Sequence, residues 1–224
     1  MNSNSPAFNP ELAARIKDCG LIAVLVIDNA ENAIDLAKTL LDHGIQAMEL
    51  TLRTPAALEA LQIIHKKMPQ MIAGAGTVLT PDQMAAVKAA GADFAVAPGL
   101  NPRVAAKARE LGLSYAPGVM TPSDIEAALE LECHVLKFFP AETTGGMKHL
   151  KAMSAPYAHL GLSFIPLGGI NAANLGSYVE SSLVGAVGGS WIATRSMIAA
   201  KDWAAIGKNA DEAVAIIKNV RSKK

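Results

Sequence analysis

Apolar positions along the chain fall into two alternating patterns. Short apolar runs recur at 21–27, 46–51, 71–75, 93–97, 113–116, 134–138, 163–167 and 183–187. They are too short for helices and read as strands buried on both faces. Between them lie longer stretches, 30–43, 55–67, 81–90, 102–111, 122–131, 146–154 and 172–181, with the spacing of amphipathic helices. A further helix is predicted at 10–17, ahead of the first strand, and another over 202–220.

Boundary signals agree with this reading. Thr54-Pro55, Thr80-Pro81, Asn101-Pro102 and Thr121-Pro122 each place a capping side chain before a proline suited to the first helical turn. Gly44, Gly91 and Gly112 punctuate the returns from helix to strand. Strands alternating with helices pair in parallel, and eight such units predict closure into a single (β/α)8 TIM barrel with an extra N-terminal helix across its bottom. A doubly wound open sheet is the alternative. It would usually carry a glycine-rich loop after the first strand, and Leu25-Val26-Ile27-Asp28-Asn29-Ala30 has no glycine. The expected domain spans 9–220, with residues 1–8 and Arg221-Ser222-Lys223-Lys224 as frayed tails.

Composition narrows the functional classes. The chain has 224 residues, 51% hydrophobic and 18% charged, which suits one barrel-sized domain. Its 20 basic and 20 acidic residues cancel and form no basic stripe, so a nucleic-acid partner is not expected. The start, Met1-Asn2-Ser3-Asn4-Ser5, lacks the features of a signal peptide, and the strand run 21–27 is too short to cross a membrane. Two cysteines, Cys19 and Cys133, are too few for a disulfide framework. A cytoplasmic protein without a membrane partner is expected.

Strand alternation then sorts the polar residues by face. In the second run, Ala47, Glu49, Thr51 and Arg53 share one side, opposite Met48, Leu50 and Leu52. With the apolar side on the helices, the polar side points into the barrel, toward its carboxyl end, where barrel active sites form. Glu49 and Arg53 could also simply pair with each other. In the sixth run, Val135, Lys137 and Phe139 share a face. A lysine among such neighbours is costly to keep charged, and a desolvated amine is a better nucleophile; the bland alternative is a strand-end lysine reaching water. A lysine nucleophile, a carboxylate base and an arginine together suit imine chemistry on a 2-oxo acid. Thr77, at the end of the third strand, could add a donor to the substrate carboxylate.

Glycine pairs follow the last two strands, in Leu167-Gly168-Gly169-Ile170 and Gly188-Gly189-Ser190-Trp191. Each alone reads as a tight turn. Together, at the two strand ends where barrels bind phosphate, they point to a phosphate site with Ser190 as a side-chain donor. Metal chemistry is not expected: His43, His65, His134, His149 and His159 show no ligand spacing. Cys133 and His134 are neighbours on a strand and face opposite sides, and the nine methionines read as core filler.

With these residues in place, the chain resembles the bacterial 2-keto-3-deoxy-6-phosphogluconate (KDPG) and 4-hydroxy-2-oxoglutarate (KHG) aldolases. The likeness rests on Glu49-Leu50-Thr51-Leu52-Arg53-Thr54, Gly74 to Leu79, Pro98-Gly99, Pro117-Gly118, Leu136 to Glu142, Gly168-Gly169-Ile170 and Gly188 to Trp191. It implies a homotrimeric class I aldolase of the Entner–Doudoroff route that needs no metal or other cofactor. By the same resemblance Lys137 forms the Schiff base and Glu49 moves protons. Arg53 and Thr77 hold the pyruvate carboxylate, Phe139 and Pro98 line the substrate, and Gly168, Gly169, Gly189 and Ser190 bind phosphate. One position departs from the pattern: Leu167 stands where the family usually has threonine, which bears on the exact substrate and its stereochemistry. Ala97, where serine is common, is a milder change. Two competing readings are a phosphate-binding barrel isomerase, in the style of phosphoribosylanthranilate isomerase, and a non-catalytic barrel that binds a phosphorylated metabolite. Neither calls for a lysine beside Glu49 and Arg53.

Overall fold

The computed structural model describes residues 7–223. Its strands are β1 (Leu21–Leu25), β2 (Ala47–Thr51), β3 (Ile72–Gly76), β4 (Phe94–Val96), β5 (Ser114–Ala116), β6 (Gly118–Val119), β7 (Val135–Phe138), β8 (Ser163–Pro166) and β9 (Val187–Gly189). The helices are α1 (Pro10–Cys19), α2 (Ala33–Asp42), α3 (Ala56–Lys67), α4 (Pro81–Ala89), α5 (Pro102–Glu110), α6 (Pro122–Glu130), α7 (Gly146–Ser154), α8 (Ala172–Val179), α9 (Arg195–Ala200) and α10 (Trp203–Arg221).

All the strand pairs are parallel. Six strands run in the order β5-β4-β3-β2-β1-β9 and three in the order β6-β7-β8. The two sheets approach each other at both edges. At one edge the chain passes from β5, the strand expected at 113–116, through Pro117 straight into β6, a short strand not expected from the sequence; proline has no N–H for a ladder and separates the two. At the other, single parallel bridges join Phe164 to Val184 and Leu167 to Gly188. The result is a curled parallel sheet with helices packed on its outer face.

Strand alternation divides the core in two. Met48, Leu50, Ala73, Ala95, Leu136 and Phe164 face outward and pack with the helices. Ile22, Ala47, Ile72, Phe94, Val96, Ala116, Ile165 and Ala186 face inward and form a second apolar cluster with Phe8 and Ile16. Burying each large side chain of this kind contributes about 1.5–3 kcal/mol. Asn9 starts α1 by accepting from the N–H of Leu12, and Gly20 ends it at φ 72, which aims Ile16 at the inner cluster.

This packing changes the expected ends of the domain. Ala7 and Phe8 are integral: the Ala7 carbonyl accepts from the Tyr115 N–H, and Phe8 is buried with its ring centroid 6.5 Å from that of Phe94. Residues 1–6 of the expected tail lie outside the described residues. At the other end Arg221 is not frayed. Its guanidinium donates to the carbonyls of Asp18, at 2.5 Å, and Lys17, tying α10 to the end of α1.

Two more expectations are corrected. The last strand lies at Val187–Gly189 rather than 183–187; Val184 makes only one bridge, and the ladder with β1 begins where the Val187 N–H reaches the Gly20 carbonyl. Thr80, Asn101 and Thr121 cap α4, α5 and α6 as expected, but Thr54 does not cap α3. The Thr54 hydroxyl donates instead to the Ile27 carbonyl beyond β1.

Candidate active site

The pairing register brings two charged side chains together inside the sheet. Glu49 on β2 lies opposite Val24 and Gly74, and Lys137 on β7 lies opposite Gly118 and Ile165. Both point inward, and the Lys137 Nζ lies 3.3 Å from the Glu49 Oε1. Lys137 is 4% exposed and Glu49 2%. Each is the other's hydrogen-bond partner, so removing one leaves a buried polar group unsatisfied, at a cost of roughly 1–3 kcal/mol.

Glycines in β3 make room for this pair. A Cβ on Gly76 would sit 1.8 Å from the Glu49 Oε1, and one on Gly74 would sit 2.3 Å from the Phe94 ring. Small residues at alternate positions thus let a carboxylate and an aromatic ring approach the strand backbone. Thr51, also buried, donates its hydroxyl to the Leu25 carbonyl at 3.0 Å and ties the end of β2 to β1. The sequence puts Thr51 on the inward face and Gly76 in a visible small-residue alternation, Gly74-Ala75-Gly76, but assigns neither of them a role.

Arg53 stands just past the end of its strand. β2 ends at Thr51, the Arg53 N–H turns back to the Thr51 carbonyl at 2.7 Å, and the side chain is exposed beyond the strand. Among the described residues its guanidinium forms no ion pair or hydrogen bond, so Glu49 and Arg53 are not a structural pair. The partner of Glu49 is Lys137.

Phe139 follows β7 half-buried, with its ring centroid 5.6 Å from the Lys137 Nζ. Thr77 follows β3 at φ 59, a left-handed conformation that is an outlier for a β-branched residue and tends to persist at functional sites. Pro98 is exposed after β4. Its carbonyl lies 2.2 Å from where a Cβ of Gly118 would stand, which brings the segments after β4 and β5 into contact.

The Gly168-Gly169 turn follows β8 as expected, whereas Gly188 and Gly189 belong to β9 and pair with β1 instead of following the last strand; both pairs lie at the same end of the sheet. Gly168 and Gly169 have φ 106 and 80, and a Cβ on Gly169 would sit 2.7 Å from the Glu142 Cβ. The Ala141 and Glu142 N–H groups donate to the Leu167 and Gly168 carbonyls at 2.9 and 3.0 Å, joining this loop to the one carrying Phe139. Leu167 packs its side chain on Gly188, and the Trp191 ring covers Gly189. Backbone conformation and packing therefore already require these glycines. Ser190 is exposed beside them.

Two histidines have structural partners. His43 lies 2.9 Å from Asp211 and His149 2.9 Å from the Met120 carbonyl. Burial pushes the Cys133 thiol up to about 11, so it is protonated and inert at neutral pH. A cavity of about 320 Å³ opens at the opposite end of β8, between Lys17, Tyr157, Ser163 and Gly185, but no carboxylate lines it. The burial and pairing of Lys137 mark the chemistry more clearly than cavity size does. Among the described residues, no helix is long and apolar enough to cross a membrane and no group of three or more His, Cys, Asp or Glu side chains could hold a metal.

A curled parallel α/β sheet that sequesters a lysine with a carboxylate at the strand ends defines a protein equipped for amine-nucleophile and proton-transfer chemistry. The profile of KDPG and KHG aldolases matches residues 12–209, and the chain belongs to that family. It is 38% identical over 208 residues to the 2-dehydro-3-deoxy-phosphogluconate aldolase of Haemophilus influenzae, covering 93% of this chain and 97% of that one. It is 39% identical over 194 residues to the KHG/KDPG aldolase of Escherichia coli K12, covering 87% and 90%. Among solved structures it is similar to KDPG aldolase from Legionella pneumophila with pyruvate captured as a covalent carbinolamine intermediate, at TM-score 0.84 and 36% identity over 89% of this chain and 96% of that one.

Proposed function

We propose that this protein is a class I aldolase that cleaves 2-dehydro-3-deoxy-6-phosphogluconate to pyruvate and glyceraldehyde 3-phosphate, and also accepts 4-hydroxy-2-oxoglutarate. The observation that carries the reading is the buried contact between Lys137 and Glu49. The relatives' names supply the substrate class, and the trapped pyruvate of the Legionella protein supports a covalent route.

In this mechanism the neutral Lys137 amine attacks the C2 ketone. Glu49 delivers a proton to the leaving hydroxyl of the carbinolamine, water departs, and a protonated imine forms. A base then removes the C4 hydroxyl proton. The C3–C4 bond breaks, its electron pair moves into the imine, and the aldehyde leaves behind an enamine. Protonation at C3 and hydrolysis release pyruvate and restore Lys137. Arg53, free of protein partners, pairs with the substrate carboxylate, Thr77 adds a hydroxyl donor, and Phe139 and Pro98 flank the chain. Gly168, Gly169, Gly189 and Ser190 receive the phosphate.

The finer architecture belongs to the same reading: one domain that takes in Ala7 and Phe8 and reaches Arg221, its two sheets closed into an eight-fold barrel with α1 across the bottom. So do a homotrimeric state, a cytoplasmic location, and a small-molecule 2-oxo acid as the partner rather than nucleic acid or membrane. Leu167 and the glycine loops leave 2-dehydro-3-deoxy-6-phosphogalactonate as the second candidate substrate. Pyruvate release from 2-keto-3-deoxy acids, with and without phosphate, tests the proposal. The phosphogluconate derivative should be cleaved with the highest kcat/KM and KHG measurably. Failure to release pyruvate from any of them would overturn the assignment.

A further inference from the structure

We infer that Thr54 is a positioning residue for Arg53, fixing the arginine that receives the substrate carboxylate; this rests on the reading of Arg53 given above. Thr54-Pro55 carries the sequence signature of a helix cap, yet α3 begins without a side-chain cap and the Thr54 hydroxyl is used elsewhere. It crosses to the Ile27 carbonyl, in the segment that follows β1. One strand turn earlier, Thr51 makes the equivalent bond to the Leu25 carbonyl at 3.0 Å. The two threonines thus fasten the end of β2 to β1 on either side of Arg53.

Arg53 needs such a fastening. It stands past the end of the ladder, and its guanidinium has no protein partner among the described residues. What the fold fixes of Arg53 is therefore its backbone, from which the side chain starts. That backbone is held by three contacts: the Leu52 N–H to the Gly76 carbonyl at 2.8 Å, the Arg53 N–H to the Thr51 carbonyl at 2.7 Å, and the Thr54 hydroxyl to Ile27. The first two are main-chain bonds. Only the Thr54 bond depends on a side chain; on the carboxyl side of Arg53 it is joined by one main-chain bond, from the Ala57 N–H to the Thr54 carbonyl at 3.3 Å, which links Thr54 to α3 and not to β1. The segment it reaches is itself anchored, since Asp28 accepts from Arg195 at 2.7 and 2.6 Å. An arginine aimed by such a brace needs less reordering to bind a carboxylate, and this lowers the cost of binding.

The test compares Thr54→Val, which keeps the shape and removes the donor, with Thr54→Ser, which keeps the donor. Both are made alone and with Arg53→Ala, and kcat and KM are measured for the phosphogluconate derivative and for KHG. Thr54→Val should raise KM about two- to twelve-fold for both substrates, the worth of one hydrogen bond, with kcat near its starting value. The common factor is expected because both substrates share the carboxylate and differ only in their tails. Thr54→Ser should restore KM, and in the Arg53→Ala background Thr54→Val should add nothing. An equal rise in KM with and without Arg53 would overturn the inference, as would an unchanged KM in Thr54→Val when Arg53→Ala raises it. If Arg53→Ala itself leaves KM unchanged, the assignment of Arg53 fails and the positioning role goes with it.

Discussion

The two ends of the inner face of the sheet solve the same packing problem in opposite ways. At the amino end the inward positions are hydrocarbon: Ile22, Ala47, Ile72 and Phe94 close on Phe8 and Ile16. Toward the carboxyl end β2 and β7 present Glu49 and Lys137 to each other at 3.3 Å, with Gly76 giving up its side chain so that the carboxylate fits. One end gains stability from burial. The other spends it, because charges removed from water are repaid only in part by their mutual attraction. Position along a strand, rather than residue type alone, separates structure from chemistry here, as in other parallel folds whose sites form at strand carboxyl ends.

That contrast breaks most visibly at Glu49. Glu49→Gln keeps the shape and removes the proton carrier, so turnover should fall about 10²–10⁴-fold while circular dichroism shows a folded protein. A rate near that of the unsubstituted enzyme would reduce Glu49 to a structural partner of Lys137. At the amino end Phe94→Ala should do the reverse. It should cost about 3–5 kcal/mol in urea unfolding, while the protein that remains folded keeps KM within about two-fold, a change worth less than one hydrogen bond. If KM rises much more, the two ends are coupled and the division is wrong.

A smaller effect is expected at Leu167, which directly precedes Gly168 and packs its side chain on Gly188. Leu167→Thr supplies a hydroxyl near the substrate chain. It should sharpen the preference between C4 epimers by about two- to twelve-fold, the value of one hydrogen bond. An unchanged epimer ratio would show that residue 167 does not read that hydroxyl.

Much of this arrangement is legible in the sequence, for identifiable reasons. Parallel strands buried on both faces leave unbroken apolar runs, and the caps at Thr80, Asn101 and Thr121 obey local rules. Lys137 and Glu49 stand out because a charge inside such a run has few bland explanations. What escaped depended on contacts distant in sequence. The last strand is chosen by the edge of β1, so Val187–Gly189 pairs despite two glycines, and 183–187, locally the better strand, does not. Phe8 looks like part of a polar tail until Phe94 is placed beneath it. Arg53 follows the strand's alternation on paper, but the strand stops at Thr51. Thr54 satisfies a capping rule and makes a different bond, because the Ile27 carbonyl lies within its reach.

The central claim is that Lys137 is the covalent nucleophile. Borohydride reduction in the presence of pyruvate, followed by peptide mass spectrometry, tests it directly. One reduced pyruvyl adduct on the peptide containing Val135 to Phe139, assigned to Lys137 and absent in Lys137→Met, is the predicted result. An adduct on another lysine, or no pyruvate-dependent adduct on an enzyme that turns over, would contradict it.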